Sequence, residues 1–594
     1  GRGRGRRGGA APRARCRAPP QEAEEDGGGR GPAPRPQRPR HRARVRSGGG
    51  GGGGGGFDMT AASASGVGGP KRDAEHKHDD ERPIGSLGRS GREIIQISVG
   101  KAGCGMGHEF IRDLVEEHNI NYTNDDLRGT FQGTEAELEA HLDVFFNEGA
   151  MHKSSGSNRW VPRCVLVDLN MQDLASITSG PLGHLYRPEN IIGNDEGSGN
   201  CYAKAFHTEG ADLADSVLDL VRKETERCNC LQGVQFTHAI SGGTGSGLTG
   251  LLMKALRDYL DRDCKCIMQT FTLVPAPGIS DINLEPYNAA LAFQDLLEYA
   301  DQCFLYDNAA LQDIVQKSLG SAVPKRQEMN NIVALCMSGL TSGLRFKGPL
   351  NADLWKMHTN LVPFKNAHFL VSSFAPLVSK AGGAYRKAGS VLDLAQQMLM
   401  KDNVTVKCDP LNPGCPASDI ARARILASWA SWRGPFKTQE VDRILYDMSK
   451  PGSRFDNYYP DWIPNAIASN ICKQEHIENG ASVVYVANNT AVAEVLDFSL
   501  KNWDRMMSHK SYVHVFQQDG ISVDDMQESR GILHYIKEWY NELARREDKI
   551  IDIDKMQIND KAIENEDHAQ LAAEMKELMK EDMWLEMVKR GPAR

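Results

Sequence analysis

The stretch that decides the fold is Ser241-Gly242-Gly243-Thr244-Gly245-Ser246-Gly247, which lies between two apolar runs. The run before it, residues 234–240, is typical of a buried strand, and the run after it, residues 248–260, has helical spacing. A strand, a glycine-rich turn and a helix form a phosphate cradle, because loop amides and a helix N-terminus carry partial positive charge. Glycines permit close backbone approach and positive φ. The stretch lacks the lysine of a P-loop and the GxGxxG spacing of a dinucleotide-binding fold.

The composition is that of an ordinary globular protein. The chain has 594 residues, of which 40% are hydrophobic and 25% are charged. Its net charge of −8 argues against specific nucleic-acid binding by overall charge. It contains no apolar run of about 18 residues, so we expect no membrane contact. The 13 cysteines include no pair of CxxC motifs, which favours reduced thiols in a reducing compartment.

The first 90 residues differ from the rest of the chain. They combine Arg/Gly/Pro repeats with a run of nine glycines at 48–56 and contain little apolar surface, so we expect disorder. A transit peptide is a weak alternative for this leader, because acidic residues cluster at 22–26. Two further interpretations of the leader stay open. Its arginines bind RNA or an acidic surface, or it is a solvated tail or translated upstream region with the true start at Met59.

Alternating strands and helices follow the leader. Residues 93–99 predict a buried strand, followed by a glycine turn that contains Gly100, Gly103, Gly105 and Gly107 and by a helix through His118. Residues 165–168 predict a short strand that ends in Asp168. Further strand and helix patterns occupy 211–227, 267–274 and 288–299. Such alternation predicts a doubly wound parallel sheet that binds its ligand at the carboxyl ends of the strands.

The pattern divides the chain into five regions. We expect a disordered leader at 1–90, a nucleotide-binding domain at 91–308 and an α+β domain at 309–487 that includes strands at 369–374 and 482–487. Mostly helical sequence follows, with a C-terminal domain at 488–550 and a charged helical tail at 551–594. The tail helix packs on a partner or on the chain itself, or it is a solvated charged helix; the sequence leaves both open.

From residue 92 to about 543 the chain resembles a tubulin, and more closely a beta-tubulin than an alpha-tubulin. The motifs that carry the resemblance include Thr208-Glu209-Gly210-Ala211, Glu285-Pro286-Tyr287-Asn288-Ala289, Asn351-Ala352-Asp353-Leu354, Phe374-Ala375-Pro376-Leu377 and Asp461-Trp462-Ile463-Pro464-Asn465. The resemblance implies an α/β fold with a Rossmann-like GTP-binding domain, an α+β intermediate domain and a helical C-terminal domain. It also implies GTP or GDP as ligand and head-to-tail assembly into microtubules.

The resemblance also assigns the nucleotide site. The residues it places around the phosphates are Gly100, Lys101, Ala102, Asn200, Ser241, Gly242, Gly243, Thr244 and Gly245. It places Asp281 and Glu285 near the ribose, and Arg326 at the position of a base-stacking aromatic residue. Asn308 and Asn330 match the asparagines that read the guanine edge, since an amide both donates and accepts hydrogen bonds.

Several of these positions depart from the family pattern. Ser241 replaces a glycine, and serine tolerates positive φ poorly, so we expect a shifted turn. Arg326 stacks on the base or faces solvent. Lys101 replaces a glutamine, and Asn170 replaces the acid that holds Mg²⁺ through water, which leaves Asp168 as a weak metal ligand. We therefore expect weaker Mg²⁺ binding with Lys101 neutralising phosphate charge, or else neutral drift in a site that does not hydrolyse GTP.

The resemblance places Asn351, Asp353 and Lys356 at the contact with the next subunit. An alpha-tubulin carries a glutamate where this chain has Lys356, and that glutamate activates water on the neighbour's GTP. A lysine is protonated at neutral pH and cannot do this. The chain then has no catalytic residue for its own GTP, and whether it acts as a GTPase depends on a partner. A basic, glycine-rich loop at 379–389 predicts contact with lateral tubulin neighbours, and microtubule-associated proteins are further candidate partners.

Three functions are compatible with these patterns. The leading one is a GTP-binding subunit of cytoplasmic microtubules that pairs with an alpha-type tubulin and serves the cytoskeleton, including the mitotic cell cycle. The second is a specialised or non-hydrolysing paralogue, of basal bodies or a scaffold, that stays out of bulk microtubules. A dinucleotide-dependent enzyme is the third, but Gly103-Cys104-Gly105-Met106-Gly107 is GxGxG rather than GxGxxG.

Overall fold

The computed structural model describes residues 92–545, apart from 125–126, 134–140, 150–157, 264–265, 277, 279, 281, 318–322, 351–352, 378–389, 409–422, 451–458, 461, 464 and 478–479. The predicted leader, the lateral-contact loop and the charged tail therefore lie outside the described residues. So do two predicted site residues, Asp281 and Asn351.

Ten strands form one large sheet. The strands of the chain are β1 (Glu93–Val99), β2 (Phe146–Glu148), β3 (Trp160–Pro162), β4 (Cys164–Asp168), β5 (Ile191–Gly193), β6 (Leu231–Ala239), β7 (Ile267–Val274), β8 (Gln302–Asp307), β9 (Phe369–Ala375), β10 (Ile425–Arg433), β11 (Ile467–Cys472) and β12 (Ser482–Asn489). The order across the sheet is β11-β10-β12-β9-β8-β7-β6-β1-β4-β5, and β2 pairs with β3 separately. All neighbours from β5 to β9 are parallel, whereas β12 runs antiparallel to β9 and β10.

Helices cover both faces of the sheet. They are α1 (Gly100–Glu117), α2 (Met171–Thr178), α3 (Glu209–Glu226), α4 (Thr249–Asp263), α5 (Glu285–Tyr299), α6 (Asn308–Lys317), α7 (Arg326–Arg345), α8 (Leu354–Leu361), α9 (Val391–Met398), α10 (Thr438–Ser449), α11 (Val492–Ser508), α12 (Val513–Gln518) and α13 (Val523–Arg545). Two π-helical segments, Lys204–Thr208 and Thr244–Leu248, immediately precede α3 and α4. Within the described ranges, no helix is both long and apolar enough to span a membrane.

The alternation of side chains along β1 explains why the sheet is covered on both faces. Ile95, Ile97 and Val99 belong to one apolar core, and Ile94 belongs to the other. All seven residues of this strand are buried, as expected for a parallel strand between two helical layers. The predicted parallel α/β fold is thereby confirmed.

The segment after β1 corrects the predicted glycine turn. Helix α1 begins at Gly100, directly after the strand, so Gly103, Gly105 and Gly107 lie inside the helix. Their role is close packing against the sheet, because a Cβ at Gly103 would lie 2.1 Å from the carbonyl oxygen of Thr237. A Cβ at Gly107 would lie 2.0 Å from the hydroxyl oxygen of Ser98.

The large sheet continues from the predicted nucleotide-binding region into the predicted intermediate region. Strand β9 pairs in parallel with β8 through Cys303↔Phe369, and β12 then turns the sheet antiparallel. On one face, the C-terminal helices α11 and α13 add Leu496 and Ile536 to the core that β1 and α5 share. The domain boundaries themselves stay predictions.

Candidate functional site

The predicted phosphate residues meet at the carboxyl edge of the sheet. Gly100 follows β1, and its left-handed φ of 73° is a conformation that suits glycine. A Cβ at Gly100 would lie 3.2 Å from the amide nitrogen of Gly245 and 3.5 Å from Cβ of Thr244. The start of α1, which also carries Lys101 and Ala102, therefore lies against the glycine-rich stretch.

The backbone of that stretch differs from the prediction. Neither Ser241 nor any glycine from Gly242 to Gly247 has a positive φ, so the serine causes no left-handed strain. The glycines serve close packing instead. A Cβ at Gly243 would lie 2.6 Å from the backbone nitrogen of Cys201, and one at Gly245 would lie 2.5 Å from the carbonyl oxygen of Ala239.

A second loop, Gly197 to Asn200, lies beside the glycine-rich stretch. The hydroxyl groups of Ser198 and Thr244 are 3.2 Å apart and hydrogen-bonded. Asn200 is exposed and has a φ of 59°, a left-handed conformation that asparagine tolerates better than most residues. The structure thus brings predicted phosphate residues from two distant stretches to one place.

Asn288, on α5, contacts both loops and was given no role by the sequence. Its side chain is fully buried. Its Nδ2 group donates to the carbonyl oxygens of Asn200, at 2.8 Å, and Ser241, at 3.0 Å. Its Oδ1 accepts from the backbone N–H of Tyr202 at 3.0 Å. The signal in the sequence was a polar residue on an otherwise apolar helix face.

His238, on β6, is a second residue to which the sequence gave no role, and it contacts the glycine-rich stretch. Its Nδ1 lies 2.8 Å from the carbonyl oxygen of Gly245, and its Nε2 lies 2.9 Å from the hydroxyl oxygen of Thr272. Burial lowers the pKa of His238 to about 4, so the ring is neutral. Because a carbonyl only accepts, Nδ1 carries the proton and Nε2 accepts from the threonine hydroxyl.

Glu285 begins α5 beside the same stretch. The side chains of Ser241 and Ser280 hydrogen-bond to its carboxylate, and burial raises its pKa. The sequence predicted this carboxylate near the ribose. Its position next to Ser241 agrees with a sugar that follows directly after the phosphates, and the contact itself stays a prediction.

The residues predicted to bind guanine lie on two helices. Asn308 begins α6 directly after β8, where Asp307 accepts a hydrogen bond from the backbone N–H of Ala309 at 2.7 Å. Asn330 lies on α7 against α1, since a Cβ at Gly105 would lie 2.9 Å from its Nδ2. Arg326, the first residue of α7, is exposed, so both interpretations of this side chain stay open.

The predicted metal edge contains one buried carboxylate and an ion pair. Asp168 is only 3% exposed, and its Oδ2 has no hydrogen-bond partner among the described residues. Burial, and next the nearby Asp173, raise the pKa of Asp168 to about 6. Lys101 lies 2.8 Å from a carboxylate oxygen of Asp173. Asn170 caps α2 and donates to Asp173 at 3.1 Å.

These residues fit a Mg²⁺ ion only in part. In the part of the chain that the structure describes, no group of three His, Cys, Asp or Glu side chains could hold a metal. Proteins bind nucleotide-associated Mg²⁺ with one or two carboxylates plus phosphate oxygens and water. Asp168 and Asn170 would be this chain's contribution.

The predicted subunit-contact segment begins α8. Asp353 caps the helix, and its Oδ1 accepts from the backbone N–H of Lys356 at 2.6 Å. The side chain of Lys356 is exposed, and the neighbouring Trp355 is 42% exposed. The conformation of this helix start is thus fixed by its cap, while the side chains of Trp355 and Lys356 are exposed.

Comparison with known proteins settles the family. A model of the "Tubulin/FtsZ family, GTPase domain" matches residues 93–316, and a model of the "Tubulin C-terminal domain" matches residues 366–500. The chain belongs to the tubulin family. It is 36% identical to the tubulin beta-1 chain of Mus musculus over 482 residues, which cover 80% of this chain and 100% of that protein. The tubulin beta-1 chain of Homo sapiens is 37% identical over 452 residues, which cover 76% and 94%.

Family membership confirms the resemblance drawn from the motifs, including its beta-like character. This tubulin-family chain is a GTP-binding cytoskeletal subunit, and GTP or GDP is the ligand that its GTPase domain implies. Eight of the ten cysteines within the described residues are buried. Individual site residues, the metal ion and the identity of partners go beyond family membership.

Proposed function

We propose that this chain is a beta-like subunit that pairs with an alpha-type tubulin and enters cytoplasmic microtubules. The observation that supports the proposal is the start of α8, where Asp353 caps the helix and Lys356 is exposed. The resemblance matches Lys356 to the glutamate of an alpha-type subunit. The side chain of a lysine is protonated at neutral pH and takes no proton from water. This subunit therefore leaves its neighbour's GTP intact, and its own GTP is hydrolysed only when a neighbour supplies a glutamate.

In this proposal each group of residues has a separate task. The backbone amides of the glycine-rich stretch and the hydroxyl groups of Ser198 and Thr244 hold the phosphates. Glu285 accepts from the ribose. The amides of Asn308 and Asn330 read the guanine edge, because guanine presents both a donor and an acceptor to them.

The first experiment identifies the nucleotide that the purified full chain carries, after release by denaturation and chromatography. We expect about one guanine nucleotide per chain. An empty, well-folded chain would overturn the nucleotide site. The second experiment mixes the chain with alpha-tubulin and follows phosphate release from each subunit's GTP.

A charge-reversing variant tests the role of Lys356 directly. In K356E the carboxylate can activate water on the neighbouring GTP, so we expect hydrolysis of the GTP held by the alpha-type subunit, which the wild type leaves intact. K365E makes the same change on an exposed loop beyond α8 and should behave as the wild type. Equal hydrolysis in K356E and K365E would refute this role.

We also propose that Mg²⁺ contributes less to nucleotide binding than an acid at 170 would allow. Support comes from the Lys101–Asp173 pair at 2.8 Å and from the engagement of Asn170 with the same carboxylate. Lys101 is 64% exposed, so its ammonium is accessible to a phosphate. On chelation of Mg²⁺ we expect GTP affinity to fall less than about tenfold, or about 1.4 kcal/mol. On the same chelation, K101Q should lose more GTP affinity than the wild type does. A fall of more than about tenfold in the wild type would refute the proposal.

A second candidate function is a specialised or non-hydrolysing paralogue outside bulk microtubules. The observation that favours it is the engagement of Asn170, whose amide donates to Asp173, because this position offers no acid to hold Mg²⁺ for hydrolysis. Co-pelleting with alpha/beta-tubulin polymer distinguishes the two functions. Incorporation in proportion to added chain supports the microtubule subunit, and guanine nucleotide without incorporation supports the paralogue.

A further inference from the structure

The Asn288 side chain hydrogen-bonds to both phosphate-side loops at once. It lies in the first turn of α5 and is completely shielded from solvent. Its amide nitrogen donates to Asn200 at 2.8 Å and to Ser241 at 3.0 Å. Asn200 and Ser241 are 41 positions apart in the chain, so α5 joins two segments that the sequence separates.

The chemistry of the three partners requires an asparagine. Two partners are backbone carbonyls, which only accept, and the third is the backbone N–H of Tyr202, which only donates. An asparagine amide offers one acceptor oxygen and two N–H donors, and all three are used here. An aspartate of the same shape has no donor, so it would oppose both carbonyls with a negative charge.

The contact also holds the conformation of the Asn200 loop. Asn200 has a left-handed φ of 59°, which is unfavourable for a residue with a side chain. Its carbonyl is one of the two that Asn288 binds, and the next residues are held through the backbone of Tyr202. The hydrogen bond between Ser198 and Thr244 and the close packing at Gly243 also join the two loops.

We propose that Asn288 is a positioning residue that sets the spacing of the two phosphate-binding loops and thereby the preference of this subunit for GTP over GDP. This inference rests on the proposed nucleotide site and adds one assignment to it: the Asn200 loop faces the terminal phosphate, while the start of α1 and the Ser241 stretch hold the diphosphate. A change in loop spacing then removes contacts to the terminal phosphate and keeps those to the diphosphate. The ratio of GTP to GDP affinity should therefore change more than the affinity for GDP does.

The test measures GTP and GDP dissociation constants of the purified full chain and of N288D. We expect N288D to lose at least tenfold in GTP affinity and less than threefold in GDP affinity. N288S, which carries no charge and keeps one donor, should move in the same direction by a smaller factor.

A matched control separates positioning from stability. Asn488 on β12 is equally buried, and its amide nitrogen donates to the carbonyl oxygens of Leu361, at 2.9 Å, and Ala367, at 2.6 Å. N488D therefore removes the same double donation at a place remote from the loops, and we expect reduced stability with an unchanged ratio of GTP to GDP affinity.

Each outcome decides between specific statements. A wild type without guanine nucleotide overturns the nucleotide site and the inference together. A wild type that prefers GTP, with equal losses of GTP and GDP affinity in N288D, leaves the site intact and overturns only the positioning role. A preference for GTP that is reduced in N288S but not in N488D supports it, including where N288D fails to fold.

Discussion

Replacement of Glu117 by glutamine should strongly destabilise the chain, because this carboxylate neutralises two buried guanidinium groups. Its side chain is 2% exposed, and its two oxygens lie 2.5 Å from Arg345 and 2.7 Å from Arg433. Ser338 donates to it at 2.6 Å, and Nε2 of His476 lies 3.2 Å away. These residues come from α1, α7, β10 and the segment after β11, so one carboxylate connects the first helix to the far half of the sheet.

The electrostatics set the size of the effect. Burial by itself raises the pKa of Glu117, but Arg345 and Arg433 outweigh it and hold the pKa well below its usual value. In E117Q two buried cations lose their counter-charge, and removal of one partner from a buried ion pair costs about 3–5 kcal/mol. Glutamine keeps the shape and one acceptor, so we expect a loss near the lower limit, about 3 kcal/mol.

Urea unfolding of the full chain, followed by circular dichroism, measures this loss. The control is E189Q, because Glu189 is 51% exposed and pairs with Arg227 at 3.3 Å. An exposed pair contributes at most about 1 kcal/mol, so E189Q should unfold almost as the wild type does. If E117Q and E189Q lose the same free energy, the buried cluster does not hold the two halves of the sheet together, and this reasoning is wrong.

Two further predictions concern a half-buried acid and a packing glycine. Burial raises the pKa of Asp295, which accepts a hydrogen bond from the hydroxyl of Tyr202, from 3.8 to about 7. Ionising this partly exposed acid should therefore lower the unfolding free energy by about 2 kcal/mol as the pH rises through that window. D295N keeps the hydrogen-bond acceptor but cannot ionise, so its unfolding free energy, measured by urea titration, should not show this decline between pH 5 and pH 8. An equal decline in D295N and in the wild type would contradict the prediction. G103A should lower the unfolding free energy by about 1–3 kcal/mol, because its Cβ would overpack against Thr237. A Cβ at Gly531 has no atom within 4 Å, so G531A should stabilise α13 by up to about 1 kcal/mol. If the thermal midpoints of both variants move in the same direction, this contrast is wrong.

Local sequence was sufficient to predict the strands that build the site. Strand β7 has the bounds that its apolar run predicted, and β4 begins one residue earlier than predicted. Both are short, fully buried runs rich in branched apolar residues, which have few alternatives in an α/β protein. Because the carboxyl ends of parallel strands share one edge, the meeting of the Gly100 and Gly245 segments could be predicted as well.

Contacts between distant segments could not be predicted. The glycines of α1 looked like a turn, because the sequence does not show that Thr237 and Ser98 lie directly beneath them. Nor does it show that Asn288 faces two carbonyls from loops more than 40 positions apart. The π-helical segment Thr244–Leu248 is a further example, since its conformation depends on packing against the chain around Tyr202.

The substitutions in this site follow a physical division between its interior and its rim. Asn288, Gly243 and Gly245 lie among backbone atoms at distances where another side chain either loses hydrogen bonds or overlaps. Lys101 and Lys356 are exposed and have room to vary without disturbing the fold. In the proposed site the interior holds the phosphate loops in place, whereas the rim carries the charges proposed to act on the bound phosphates and on a neighbour's nucleotide. A chain that keeps the interior and changes the rim should therefore differ from other tubulins in cation dependence and hydrolysis before it differs in nucleotide binding.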